Sequence, residues 1–161
     1  MIKLNTYLAV AMVACAVLAA PQAVMAAGSS DYSSTTSSSA ASEKAIATAN
    51  KKLKAEDFAG AYAALEKAVK TDDANADIHN LLGFAARKMG DYVKSEGHYT
   101  KALSLNPDHK GALEYMGELF LTLDRPDEAE QLLARLDEVC WLGCDEHDTL
   151  AEAISAYKAA Q

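Results

Sequence analysis

The residues best suited to chemistry are Cys140, Cys144 and His147, in and just beyond the run Cys140-Trp141-Leu142-Gly143-Cys144. On an unbroken helix, residues four apart share one face, and a bridge between two thiols there would be strained. Gly143 changes that expectation, because glycine takes the left-handed conformation that ends a helix and turns the chain. The sulfurs can then meet across the turn as a structural disulfide, which by the chain-entropy model stabilises so short a loop by about 2 kcal/mol. A second reading keeps the thiols free. Two thiolates and the His147 imidazole are a ligand set for a soft cation such as Cu(I), or for zinc, although only three ligands are visible. A thiol-redox accessory role is the third reading. Against it, the pair is not C-x-x-C beside a strand–helix unit, and Asp145, Glu146 and Asp148 disfavour a thiolate.

No other group of residues forms a catalytic constellation. The serines lack a Gly-x-Ser-x-Gly context, and there is no glycine-rich phosphate loop and no paired metal carboxylates. The expectation is a protein that is not an enzyme and takes no cofactor. Its 23 acidic residues against 15 basic ones argue against a nucleic-acid phosphate binder and against docking on anionic lipid.

The elements that must position these residues follow from patterning along the chain. Residues 1–26 read as a secretory signal peptide, with Lys3 as the positive start, Leu8 to Ala20 as the apolar run and Val24-Met25-Ala26 as the cleavage site. The run is about thirteen residues, short of the roughly 20 that span a bilayer as a helix. Cleavage after Ala26 leaves no integral membrane span and a periplasmic or secreted protein. The rivals are a retained membrane anchor, suited to a tethered assembly factor, and a lipoprotein cut before Cys15, for which Met12-Val13-Ala14 is a poor signal. Cysteines 140 and 144 would then share an oxidising compartment. Residues 27–41, rich in serine and threonine, read as a flexible linker.

From Ser42 onward the pattern is helical hairpins. Between Ala76 and His109, Ile78, Leu81, Leu82 and Ala85 recur at helical spacing, followed by Val93, Tyr99, Ala102 and Leu103. Gly90 suits the turn after the first helix and Asp91 the cap of the second. Gly83 and Ala102 are small where antiparallel helices approach closely, while Leu82 and Tyr99 supply bulk. A hairpin like this cannot bury its apolar face alone.

This thirty-four-residue unit resembles the tetratricopeptide repeat. Leu82-Gly83, Tyr99, Ala102 and Pro107 stand at the motif's positions, whereas His79, Ala86 and Ser95 replace the usual Trp, Tyr and Ala. In the same register lie a first unit over 42–75, with Ala45, Ala49 and Lys52 at key positions of a degenerate first helix, and a third over 110–143. Met116, Gly117, Phe120, Ala129, Leu133 and Leu136 mark the third, and Pro126 opens its second helix. Trp141 replaces the terminal proline, so the array is expected to stop there. Residues 144–161 form a capping helix with an apolar stripe of Leu150, Ile154 and Tyr157, opened by Asp145 as cap. The resemblance implies an all-α fold, a tetratricopeptide-type α-solenoid of three helical hairpins plus a C-terminal capping helix.

The segment LDEVCWLGCDEHDTLAEAISAYKA also looks like the ending of short exported proteobacterial tetratricopeptide proteins with a C-x2-G-C motif. In the wider family, the first helices of each hairpin line a concave groove that holds a peptide or helix. The resemblance places Asn50 and Leu53, with Ile46, on that groove in the first unit. It adds Asn80, Phe84, Arg87 and Lys88 in the second, and Glu114 and Glu118, with Leu121, in the third. Asn50 matches one position of the carboxylate clamp of some relatives, but Ile46, Gly111 and Tyr115 stand where that clamp has cations. His79 is expected to be a packing residue, and His98 and His109 to lie on the surface. The function implied is an exported adaptor that binds another protein or peptide of the cell envelope, the alternative being the metal-handling or thiol-redox accessory above.

Overall fold

The computed structural model describes residues 32–161, with side-chain surroundings from Ala40 onward; the leader expected over residues 1–26 lies outside the described residues. Among them are seven helices: α1 (Tyr32–Lys54), α2 (Phe58–Val69), α3 (Ala76–Lys88), α4 (Tyr92–Leu105), α5 (Lys110–Thr122), α6 (Pro126–Val139) and α7 (Asp145–Ala159). They pair as three hairpins, α1 with α2, α3 with α4 and α5 with α6, and α7 closes the far end against α5 and α6.

Each start is set by local chemistry. Asp57, Asn75 and Asp91 accept a hydrogen bond from the backbone N–H three residues on, capping α2, α3 and α4. His109 caps α5 through Nδ1, which accepts from the Ala112 N–H at 3.1 Å. Proline at the first position of α6 costs no hydrogen bond. The turns inside the hairpins repeat as well. Glu56, Gly90 and Asp124, thirty-four residues apart, all have positive φ, at 58°, 80° and 60°. Only the middle turn has a glycine to relieve the strain. Gly90→Ala is therefore expected to lower stability by about 1 kcal/mol, although no atom lies within 4 Å of the added carbon. Gly97→Ala, an equally open site inside α4, is expected to raise it by about 0.5–1 kcal/mol. Urea denaturation of the two variants checks the opposite signs.

The core runs along the stack in three clusters, as in a quasi-one-dimensional array. Ala49, Ala61, Leu65, Ile78 and Leu82 join the first hairpin to α3. Tyr99, Ala102, Ala112 and Leu119 join α4 to α5. Leu113, Phe120, Ala129, Leu132, Leu136, Cys140, Leu150 and Ile154 bind the third hairpin to α7. Gly83, expected to be small at a close helix approach, lies directly under the Tyr99 ring. Gly117 plays the same part for Leu150. So α7 covers on α5 the small-residue position that α4 covers on α3.

Several expectations are corrected. The segment read as a flexible linker over 27–41 is helical from Tyr32, and among the described side chains the first buried one is Ser42. A helix nucleated on packed residues extends N-terminally at little cost, even through serine and threonine. Val93, placed on the apolar stripe of α4, is 85% exposed because it sits one residue inside the helix start, beyond the reach of α3. Leu132 is buried in α6 and Leu133 only partly so. The cap position of α7 belongs to Cys144, and Asp145 is the first helical residue, where with Glu146 and Asp148 it complements the helix dipole.

Candidate functional site

The first helices of the hairpins lie side by side, α1 against α3 and α3 against α5. Where they meet, a cleft of about 270 Å³ opens, lined by Asn50, Leu53, Lys54, Leu81, Phe84 and Tyr115. Its walls are apolar, with Asn50 and Lys54 at the edge. The Phe84 and Tyr115 rings stand 5.0 Å apart at a 53° tilt, an arrangement aromatic pairs favour. Two cations border them: the Arg87 guanidinium lies 5.6 Å from the Phe84 centroid and 5.8 Å from that of Tyr115, and Lys88 Nζ lies 5.4 Å from Phe84. Arg87 is tied to Glu118 at 2.5 Å. Among the described residues no carboxylate pairs with Lys54 or Lys88.

The structure thus brings together Asn50, Leu53 and Phe84 in the cleft, with Arg87, Lys88 and Glu118 beside it. It does not bring Asn80 or Glu114 to the open surface, since both are buried. Asn80 faces Gly111 across the α3–α5 seam, and its Oδ1 is without a hydrogen-bond partner. Ile46 and Leu121 are half-buried against the core clusters. Sequence reasoning missed Lys54, Leu81 and Tyr115; Tyr115, one residue from the groove position Glu114, drew notice only as a departure from the cationic clamp.

Burial, and then the neighbouring charges of Glu118 and Glu146, push the Glu114 carboxyl up to about 7. Below the ordinary range of about 4.5 both folded and unfolded chains hold this proton. As pH rises from there to about 7 only the unfolded chain releases it, so stability falls across that window. Glu114→Gln is expected to be about 2 kcal/mol more stable than the unsubstituted protein at pH 8 and equal to it near pH 4. Urea titrations at the two pH values read the difference.

Two of the three repeat histidines are placed otherwise than expected. His79 is buried, as a packing residue would be, but it is also hydrogen-bonded, and His98 is half-buried rather than on the surface. The two Nδ1 atoms are 3.3 Å apart, His79 Nε2 meets the Asp73 carbonyl at 3.2 Å, and His98 Nε2 meets the Tyr62 hydroxyl at 3.2 Å. The Asp73 carbonyl can only accept, so neutral His79 carries its proton on Nε2. His98 then donates from Nδ1 to His79 Nδ1 and the Tyr62 hydroxyl donates to His98 Nε2, so all four ring nitrogens have a partner. Burial and the neighbouring His79 hold the His98 pKa below its usual value. His109, also expected on the surface, is the α5 cap and is only slightly exposed, with Nε2 at 3.0 Å from Asp77.

At the α6–α7 joint the Cys140 and Cys144 sulfurs are at bonding distance, 2.08 Å, and Gly143 has the expected positive φ of 86°. With the sulfurs joined, the alternative metal set Cys140, Cys144 and His147 has no thiolates to offer. His147 points instead to Asp137 at 2.8 Å and Asp148 at 3.0 Å, which raise its pKa. Among the described residues no group of three or more histidine, cysteine or acidic side chains is arranged to hold a metal, and no helix is long and apolar enough to cross a membrane.

Residues 76–109 match the tetratricopeptide repeat family. Among solved structures the chain is similar to the Arabidopsis OM64 TPR domain, at 19% identity and a TM-score of 0.68 over 77% of this chain and 99% of that one. It is similar to the second TPR domain of the human RPAP3 protein, solved in complex with the HSP70 peptide SGPTIEEVD, at 19% identity and a TM-score of 0.66 over 75% and 98%. A third is the Yersinia enterocolitica type III secretion translocator chaperone SycD, at 18% identity and a TM-score of 0.63 over 73% and 89%. Among curated proteins, none matches the sequence. The chain carries a tetratricopeptide repeat at its centre and has the all-α solenoid fold of tetratricopeptide-repeat domains.

Proposed function

We propose that the protein is an exported adaptor that holds a segment of another envelope protein in the α1–α3–α5 cleft, by recognition without a covalent step. The observation that carries this is the cleft itself. It has mostly apolar walls that include an aromatic pair, with Lys54 in its lining and Lys88 beside the Phe84 ring, neither neutralised by a carboxylate of the described residues. At about 270 Å³ it is slightly below the size of common small-molecule pockets and suits one or two side chains of a polypeptide. A fitting segment has a large apolar side chain for the Leu53–Leu81–Phe84–Tyr115 walls and a carboxylate beside it for Lys54 and Lys88. That a similarly folded human domain was solved with an HSP70 peptide supports the same use of the fold here. Export rests on the leader-like residues 1–26 and on a cysteine pair suited to an oxidising compartment. An intact mass beginning at Ala27 would support it, and one beginning at Met1 on protein confined to the cytoplasmic fraction would refute it.

Fluorescence anisotropy with a labelled peptide carrying a leucine between aspartates, and with its lysine-for-aspartate counterpart, tests the cleft. The acidic peptide is expected to bind the more tightly. Phe84→Ala should weaken it by about 30-fold, the loss of a central anchor worth about 2 kcal/mol. Lys88→Glu should weaken it several-fold and narrow its advantage over the basic peptide, while Val93→Ala should change nothing. Equal affinity in Phe84→Ala and the unsubstituted protein would overturn the proposal, as would a failure of both peptides to bind.

A further inference from the structure

Trp141 and Leu142 are each 80% exposed, at the apex of the loop that the Cys140–Cys144 pair closes. Two large apolar side chains on a solvent-facing tip forgo burial that most such residues obtain. The loop is short and tied at both ends, so the tip is held ready for contact with little entropy left to lose. On both sides of the loop the chain carries exposed acids, Asp137 and Glu138 before it and Asp145 and Asp148 after it, and His147 contacts the first and last of them. The tip is therefore an apolar projection in an acidic collar. The cleft on the α1–α3–α5 face has the opposite character: apolar walls sized for a large side chain, with Lys54 and Lys88 uncompensated at its border.

We propose that the Trp141–Leu142 tip of one molecule docks into the cleft of a second copy of this chain, with the acidic collar facing Lys54 and Lys88. The inference rests on the cleft being a polypeptide-binding site, and it names one occupant. Tip and cleft are different surfaces, so the contact is heterologous. Each docked pair keeps one free tip and one free cleft, and association continues head to tail unless the ring closes.

Sedimentation equilibrium of the protein as isolated, with its cysteines oxidised, is the test. Average mass is expected to rise with concentration beyond that of a dimer. The double variants Trp141→Ser/Leu142→Ser and Lys54→Glu/Lys88→Glu should each associate at least ten-fold more weakly; all four side chains are exposed, so both variants are expected to fold. An equimolar mixture of the two should form a complex with one copy of each and stop there, because one sound tip and one sound cleft remain between them. A protein that is monomeric at every concentration would overturn the proposal. So would a tip variant that associates like the unsubstituted protein, or a mixture that forms no complex. Titrating the tip variant with the aspartate–leucine peptide separates the two failures. If the peptide binds while the protein stays monomeric, self-docking alone falls and the cleft belongs to a different partner; if the peptide does not bind, both readings fall.

Discussion

Gly83→Val should lower the stability of the protein by about 3 kcal/mol in urea denaturation. A carbon added at Gly83 would sit 2.6 Å from two atoms of the Tyr99 ring, well inside van der Waals contact. Neither partner can withdraw. Tyr99 is completely buried among residues of α4 and α5, and the Gly83 carbonyl accepts a hydrogen bond from buried Ser95 Oγ at 2.8 Å, which pins α3 to α4. Overpacking of this kind costs about 1–3 kcal/mol, and a branched side chain falls at the upper end. The gain in helix propensity on leaving glycine, up to about 1 kcal/mol, is too small to reverse the sign. Gly83→Ala should show the competition directly, with a net loss of about 1–2 kcal/mol. A valine variant as stable as the unsubstituted protein would contradict the close approach of α3 and α4.

Leu150→Ala is the second large effect, at about 3 kcal/mol, and it should act on one end of the stack. Leu150 is fully buried, it closes over Gly117, and it joins α7 to the cluster formed by α5 and α6. Truncation removes buried methyl groups and leaves a cavity that a leucine-lined seam fills poorly. In a stacked array the terminal unit depends on one neighbour alone, so the loss should appear first as opening of α7. Amide hydrogen exchange should speed up along Asp145–Ala159 and Pro126–Val139 before it changes in α3 or α4. Uniform acceleration over all seven helices would instead mean that the chain unfolds as a single unit.

Features that depend on neighbours within one hairpin were legible in the sequence. Gly83 and Tyr99, the turn at Gly90, the Asp91 cap and the bend at Gly143 each follow from spacing along one or two helices. Features that depend on how one hairpin sits on the next were not. Asn80 and Glu114 occupy groove positions by register, yet the α3–α5 seam closes over them. Tyr115 and Leu81 enter the cleft because the same packing turns their neighbours inward. The link between His79 and His98 joins two helices of one hairpin to Tyr62 of another, and no pattern within a single repeat announces it. Helix propagation hid the start of α1, since serine and threonine give no sign of where a helix begun downstream will stop.

The most direct test of the account is amide and side-chain chemical-shift mapping of the protein during titration with the aspartate–leucine peptide. The account predicts that shifts concentrate on Asn50, Leu53, Lys54, Leu81, Phe84 and Tyr115 and vanish in Phe84→Ala. Saturable shifts centred on α2, α4 and α6, with the cleft residues silent, would contradict it.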